Sequence, residues 1–330
     1  MGNARLRLGV SDARVLGERA LRGIGYDAEE SRVIAEHVVD AALCGYEYSG
    51  LAKILNIPDH PRFKAPRRPV TVLRETPVSV LFNGGNQVGM LALHHATKTA
   101  IATAEAQGFA LVGITNTWMS GRSAHYMEMI ARANFVGIHT ASATRSVAPP
   151  GGRRPVLGTN PIAFGLPGAR DPLIFDMGTA AFMMTDVMFR ERLGELLPEG
   201  VALDPTGRPT REPSLARQGA LLPFGGYKGF GLALMVHALG ILGGSPLDGD
   251  RDNGYLFIVF KPDLLYPLED FKREIAALVE RIKAVPRQPG VEEIRIPSEH
   301  SFRHRARALR EGLEIDQAVH DALERLAARA

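Results

Sequence analysis

The sequence predicts an α/β protein with helices gathered at both ends of the chain. Three observations carry that expectation. Between about residues 70 and 265, apolar runs of strand length alternate with helical patterns, the order an α/β sheet core requires. Before residue 60 and beyond residue 298, apolar residues recur at helical spacing behind capping signals. Proline- and glycine-rich stretches punctuate the chain between these blocks. The simplest architecture joins both ends, residues 1–72 and 286–330, into a helical domain beside an α/β domain of residues 73–285. The strand pattern leaves the sheet order open.

Residues 11–60 read as helical. Ser11 can cap a helix through Arg22, and Asp27 with Glu30 makes a capping box ahead of an apolar face of Val33, Ile34, Val38, Ala41 and Ala42. Cys44–Lys53 gathers two glycines, two tyrosines, a serine and a lysine where that helix ends, and a cap at Gly45 before a new helix accounts for its backbone. Pro58–Pro69 reads as an irregular connection. Val70–Leu73 and Val78–Phe82 read as strands, Asn83–Asn86 as a turn and Gln87–Ala106 as a helix. Phe109–Thr115 has the composition of a buried strand, and polar Asn116–Ser123 follows its C-terminal end, where α/β sheets place ligand sites. A helix over Ala124–Ala133, a strand over Val136–Ala143, a glycine-rich loop Pro149–Asn160 and strands Ile162–Leu166 and Leu173–Asp176 come next. A helical stretch leads to the loop Pro198–Pro213. Tyr255–Phe260 is a further strand, Phe271–Lys283 a helix and Glu293–Pro297 a last strand. Ser298 caps a helix to Arg310, and Asp316 opens the final one.

Composition narrows the function. Hydrophobic content of 45% over 330 residues can bury a substantial core. A net charge of +3 with scattered basic residues gives no case for nucleic acid. The single cysteine, Cys44, excludes an internal disulfide and any C-x-x-C motif, and points to the reducing cytoplasm. No run approaches the roughly 18 apolar residues of a membrane span, and Met1–Val10 lacks the apolar core of a signal peptide. No metal site is expected: His94 and His95 are adjacent, and helical neighbours point about 100° apart.

The densest glycine cluster is Pro223–Leu234, P-F-G-G-Y-K-G-F-G-L-A-L, which runs directly into a helical pattern. Two readings stand. Free N–H groups at that helix start, with the charge of Lys228, suit an anion. Equally, the glycines can serve a tight turn and close helix packing. No G-x-G-x-x-G follows the first strand, and G-x-S-x-G, H-E-x-x-H and the P-loop are absent, which removes the common nucleotide and hydrolase signatures.

Longer motifs accompany this cluster: N-G-G-N-Q-V-G (83–89), V-L-G-T-N-P-I-A-F-G-L-P (156–167), F-D-M-G-T (175–179), L-L-P-E-G-V-A-L-D (196–204), G-A-L-L-P-F-G-G-Y-K-G-F-G-L-A-L-M-V (219–236) and R-I-P-S-E (295–299). On these the chain resembles the malate/L-lactate (type 2)/L-sulfolactate dehydrogenase family of NAD(P)-dependent oxidoreductases, which includes 2,3-diketo-L-gulonate reductase, ureidoglycolate dehydrogenase and Δ1-piperideine-2-carboxylate reductase. The resemblance covers nearly the whole chain. It implies a non-Rossmann, L-sulfolactate dehydrogenase-like fold, with a mixed-sheet α/β domain and a helical domain from both chain ends. It also implies a homodimer with the site near the interface, and NADPH or NADH as cofactor. By the same resemblance Asp176, Met177 and Gly178 would contact the nicotinamide cofactor, Gly226, Tyr227 and Lys228 would lie along it, and Met119, Ser120, Gly121, Arg122 and Ser123 would border it. Thr159 would hold a substrate carboxylate with Met184 and Thr185 nearby, Asp186 would orient the catalytic base, and Arg303 would reach the cofactor's phosphate side.

One segment departs. The family's G-x-D-S-H-G-x-x-R is here Gly45-Tyr46-Glu47-Tyr48-Ser49-Gly50-Leu51-Ala52-Lys53, so serine replaces the proton-donating histidine and lysine the substrate-binding arginine. A second usual histidine is Met119. Hydride addition to a ketone builds an alkoxide that needs a donor of near-neutral pKa, and a serine hydroxyl is far too weak an acid. Tyr48 fills the role if a cation such as Lys53 lowers its pKa, with Ser49 the other hydroxyl of the remodelled catalytic site and Lys53 keeping a positive charge for a substrate carboxylate without arginine's bidentate fork, whereas an imine substrate arrives already protonated. The expectation is an NAD(P)H-dependent oxidoreductase acting on the C=O or C=N of a small 2-oxo acid, ketone or cyclic imine. The alternative is a cofactor-binding relative with little catalysis and a regulatory or structural role.

Overall fold

The computed structural model describes residues 4–245 and 253–329. Residues 1–3, 246–252 and 330 fall within the expected domain ranges, and the first three within Met1–Val10, but they lie outside the described residues. The chain opens with a short strand that the sequence pattern missed, β1 (Arg5–Leu8), and then α1 (Val10–Arg22) and α2 (Ala28–Leu43). Gly9, rather than Ser11, occupies the start of α1. The capping box of α2 forms as expected: the Asp27 carboxylate accepts from the Glu30 N–H at 2.8 Å, and Glu30 accepts from the Asp27 N–H at 3.1 Å. Beyond Gly45, at φ +87°, no long helix follows. Two 3₁₀ stretches, Glu47–Ser49 and Leu51–Leu55, run into a single turn α3 (Asn56–Asp59).

The sheet strands are β2 (Thr71–Thr76) and β3 (Ser79–Asn83), then after α4 (Gly89–Gln107) β4 (Phe109–Thr115), and after α5 (Ser123–Arg132) β5 (Val136–Ala141), β6 (Ile162–Leu166) and β7 (Leu173–Met177). Next come α6 (Met184–Leu193), the two-residue β8 (Ala202–Leu203), α7 (Pro213–Gln218), β9 (Ala220–Leu221) and α8 (Tyr227–Leu242). The chain ends with β10 (Gly254–Phe260), α9 (Leu268–Lys283), α10 (Glu299–Glu311), β11 (Leu313–Asp316) and α11 (Gln317–Ala327). Glu293–Pro297 is irregular rather than a strand. Ser298 precedes α10 at φ +64° and makes no side-chain cap, so its expected capping role is corrected.

Seven strands form a mixed sheet in the order β2-β3-β4-β10-β5-β6-β7. Among the described strands of this sheet only β3 and β4 pair in parallel. The last of these strands in sequence, β10, takes the centre, which explains its almost unbroken burial as G-Y-L-F-I-V-F. β1 pairs with β11, so the two chain ends are tied together.

Three apolar clusters organise the described residues. The first joins α1 and α2 (Leu16, Leu21, Ile34, Val38), the 3₁₀ stretch (Leu51, Ile54) and the C-terminal Ile315, Val319 and Leu323. The second lies between the sheet and α4 and α5, around Leu93, Val112, Ile114, Tyr126 and Phe257. The third gathers Val147, Leu157, Val187, Leu197 and Leu221 beside α6 and α8. Trp118, on the loop after β4, is fully buried in the first cluster, not the second. Its indole N–H donates to Asn86 O at 3.1 Å and its ring stacks on His60 at 4.3 Å. The loop that carries the site is thereby pinned to the turn after β3 and to the segment that follows α3.

Candidate active site

Five segments meet around a cavity of about 390 Å³: the turn Tyr46–Lys53, the loop Gly121–Ala124, the end of β7 with Gly178, the start of α6 and Pro297–Ser298. A larger cavity of about 1180 Å³ lies beside Arg62, Arg68 and Asn116 and holds none of the expected site residues. The chemistry-bearing residues converge on the smaller one, the candidate site.

Glycine geometry sets the turn. A Cβ on Gly50 would come within 2.9 Å of Ala42 Cβ, so glycine lets the 3₁₀ stretch lie against α2. From that seat Tyr48, Ser49 and Lys53 line the cavity. The Lys53 side chain is nearly buried, and its Nζ has one hydroxyl partner, Thr185 Oγ1, at 3.5 Å. Among the described residues it forms no ion pair. Burial disfavours the charged amine and brings its pKa down to about 8.

Arg122 is the second cation of the cavity. It is buried, it donates to Asp40 Oδ2 at 2.8 Å, and its guanidinium lies 5.3 Å from the Tyr46 ring centre. Its backbone N–H donates to His37 Nε2 at 2.8 Å. Asp40 also pairs with Arg305 at 2.8 Å, and Arg305 forks onto both oxygens of Glu128 at 2.7 and 2.6 Å. Burial pushes the Asp40 carboxyl up, but the hydrogen bond to His125 and the charges of Arg122 and Arg305 outweigh it and hold the group well below the usual carboxylate range. Asp176, at the end of β7, accepts from the Ala124 N–H at 2.7 Å; burial raises its pKa, opposed by that bond and by Arg122.

Tyr48 lines the cavity but without the expected acidity, and several other expected residues stand elsewhere. The Tyr48 hydroxyl is not made more acidic. Burial first, then the fields of Asp186 and Tyr46, push its pKa upward, so a lowered Tyr48 pKa is corrected. Met184 packs against the third apolar cluster, and Met183 lines the cavity in its place beside Thr185. Thr159 does not line the cavity; its carbonyl accepts from the Thr179 N–H at 2.8 Å and supports the segment after β7. Asp186 is drawn to Arg190 at 3.5 Å, on its own helix. Met119, at φ +56°, faces a neighbouring cavity of about 510 Å³, and the Ser120 carbonyl accepts from Tyr126 Oη at 2.5 Å. Arg303 turns outward to Glu293 at 2.8 Å. Gly226, Tyr227 and Lys228 are exposed at the start of α8 and do not border the cavity within one chain. The two readings of the glycine cluster divide: Gly229 is a packing glycine, since a Cβ would lie 1.7 Å from Phe224 O, whereas Gly225 and Gly226 hold positive φ with open space around them.

Sequence reasoning missed Tyr46, Phe175, Met183 and Pro297 in the lining, and Asp40 and His37 behind Arg122. Asp40 and His37 share one face of α2 at a spacing of three, which was the one available signal.

The malate/L-lactate dehydrogenase family matches residues 9–324. The malate/(S)-sulfolactate dehydrogenase of Methanothermus fervidus is 30% identical over 329 residues, covering 96% of each chain. The NAD(+)-dependent ureidoglycolate dehydrogenase of Escherichia coli K12 is 30% identical, covering 93% of this chain and 91% of its own. Among solved structures, the Δ1-piperideine-2-carboxylate reductase of Pseudomonas syringae pv. tomato superposes with a TM-score of 0.80 at 30% identity, over 98% of this chain and 100% of that one.

Proposed function

The chain belongs to the malate/L-lactate dehydrogenase family and is an oxidoreductase, and we propose that it moves hydride between NADH or NADPH and the C=O or C=N carbon of a small carboxylate-bearing substrate, through a remodelled acid–base site. When bound, the reduced nicotinamide supplies the hydride. The lining suits that group in kind. Phe175, Met177 and Met183 offer an apolar wall to an aromatic ring, and the fixed Asp176 carboxylate offers an acceptor to an amide. The carrying observation is the meeting of two cations, Lys53 and Arg122, with Asp176 in one cavity whose size suits a ring and a substrate of a few carbons. Arg122, held by Asp40, supplies the fixed charge for a carboxylate where the usual arginine is absent from position 53.

Supporting the two-domain division at 1–72 with 286–330 and at 73–285, the first apolar cluster draws on both chain ends and the second on the sheet. Phe224, Tyr227, Leu234, Met235, Ile241 and Leu242 are exposed in and just before α8, which supports a homodimer built on that helix and would bring Lys228 of one copy toward a shared interface. No described helix is long and apolar enough to cross a membrane. A single, buried, free Cys44 supports a cytoplasmic setting.

Trp118 is the only tryptophan, so its fluorescence reports nucleotide binding. Titration with NADH and NADPH, then turnover with pyruvate and Δ1-piperideine-2-carboxylate, tests the reading. Failure to bind either nucleotide overturns it. Binding without turnover across a wide carbonyl and imine panel favours the alternative of a non-catalytic cofactor-binding relative, which the missing histidine motivates.

A further inference from the structure

We propose that Lys53 is the proton-transfer residue of this chain, taking over at a different position the work of the missing histidine, and that it exchanges its proton with water through the neighbouring cavity. The inference rests on the oxidoreductase reading above. Lys53 belongs to the 3₁₀ stretch Leu51–Leu55, whose Leu51, Ile54 and Leu55 are buried in the first apolar cluster. Its backbone is therefore held firmly while the side chain lines two cavities at once. Lys53 and Thr185 are shared by the inner cavity of about 390 Å³ and the outer one of about 510 Å³. An ammonium in that partition can give a proton on one side and recover it on the other.

The other groups facing it are committed. On the inner side, Arg122 stays charged, and Asp176 accepts from the Ala124 N–H at 2.7 Å. Asp186 pairs with Arg190, and the Tyr48 hydroxyl is held more firmly by burial. His37, on α2, is pushed far toward its neutral form by burial, and its Nε2 accepts from Arg122 N. On the outer side, Arg217 pairs with Glu191, and Arg192 bonds Asn56 at 2.9 Å and sits 3.8 Å from Asp59. His60 is lowered to about 4 by burial and by Arg62. Among the described residues none of these is an ion-pair partner of Lys53. Its amine, brought to about 8 by burial, is the group in the lining that can both donate and recover a proton near neutrality.

The step balances. As hydride reaches the substrate carbon, the carbonyl π pair moves onto oxygen. An N–H bond of Lys53 breaks while the O–H bond forms, leaving a neutral amine that regains a proton from water in the outer cavity. In the oxidative direction the neutral amine accepts the hydroxyl proton. Reduction therefore requires protonated Lys53 and weakens as pH rises through about 8.

Two readouts test this. NMR titration of ¹³Cε-labelled lysines in the full chain, with the Lys53 signal identified by its loss in Lys53→Arg, should show Lys53 titrating near 8. Titration above about 10, the unperturbed lysine range, overturns the proposal without touching the oxidoreductase reading. With a 2-oxo acid, Lys53→Arg should lower kcat by roughly 10²–10⁴-fold and abolish the alkaline fall in kcat/KM, while NADH binding, followed by Trp118 fluorescence, is retained because the residues proposed as its wall, Phe175, Asp176, Met177 and Met183, are unchanged. Tyr48→Phe should keep the alkaline fall whatever its level of activity. If Lys53→Arg retains that fall, the proposal fails. Lys53→Met, which fits a buried site without charge, repeats the comparison if arginine disturbs the fold. Wild-type protein that binds no nucleotide instead defeats the oxidoreductase reading, whatever the lysine titration shows.

Discussion

Asp40→Asn probes the anchor behind the cavity. The Asp40 carboxylate accepts from Arg122 at 2.8 Å, pairs with Arg305 at 2.8 Å and lies 3.3 Å from His125 Nδ1. Breaking a buried pair by neutralising one partner costs ~3–5 kcal/mol, because the other charge is left uncompensated. Arg305 keeps both Glu128 oxygens, so the orphaned charge is Arg122, whose side chain is only 7% exposed. Asparagine retains one acceptor, which places the loss at the lower end, about 3 kcal/mol. At an unfolding entropy of ~2.1 cal/mol/K per residue, a chain of 330 residues changes by about 0.7 kcal/mol per degree. The midpoint should therefore fall by about 4 °C. The pH dependence has a definite sign. A carboxyl whose folded pKa is depressed contributes stability above its unfolded value of about 4, and loses it as pH falls through the folded one. The gap between wild type and variant should be level from about pH 5 to 8 and narrow below about 4. Thermal unfolding followed by circular dichroism reads both quantities, and KM for a 2-oxo acid should rise as Arg122 loosens. A midpoint shift under about 1 °C at neutral pH, or a gap that closes between pH 5 and 8, would refute the reasoning.

Gly121→Ala should weaken NADH binding by at least about tenfold, since Gly121 holds φ +80° and a Cβ would lie 2.1 Å from His37 Nε2; an unchanged titration of Trp118 fluorescence argues against the loop forming the cofactor wall. Met235→Glu changes a side chain that is 56% exposed within one chain, so the fold should persist while sedimentation shows a monomer. A dimer that survives this charge places the interface elsewhere.

Much of the fold was legible because it rests on local rules. The capping box at Asp27 and Glu30, the buried run Phe109–Thr115 and the periodic helices are set by residues close in sequence, and the structure contains all of them. The long motifs placed the chain in its family, one of them holds Asp176, and the resemblance they carry pointed to Arg122; both residues line the cavity. The residues at 48, 49 and 53 were legible too, and only against the pattern the resemblance implies do they read as a departure.

Tertiary structure decided what those residues can do. β10 reaches the centre of the sheet through pairings with β4 and β5 that lie more than a hundred residues away, which no local pattern encodes. The strand pair β1–β11 joins opposite ends of the chain for the same reason. Met183 rather than Met184 entered the cavity because the third apolar cluster took the latter. Above all, acidity depends on surroundings. The sequence by itself set tyrosine, serine and lysine at positions 48, 49 and 53, where the resemblance implies a serine, a histidine and an arginine. Burial, and the charges that distant segments bring or fail to bring, moved Tyr48 away from neutrality and Lys53 toward it.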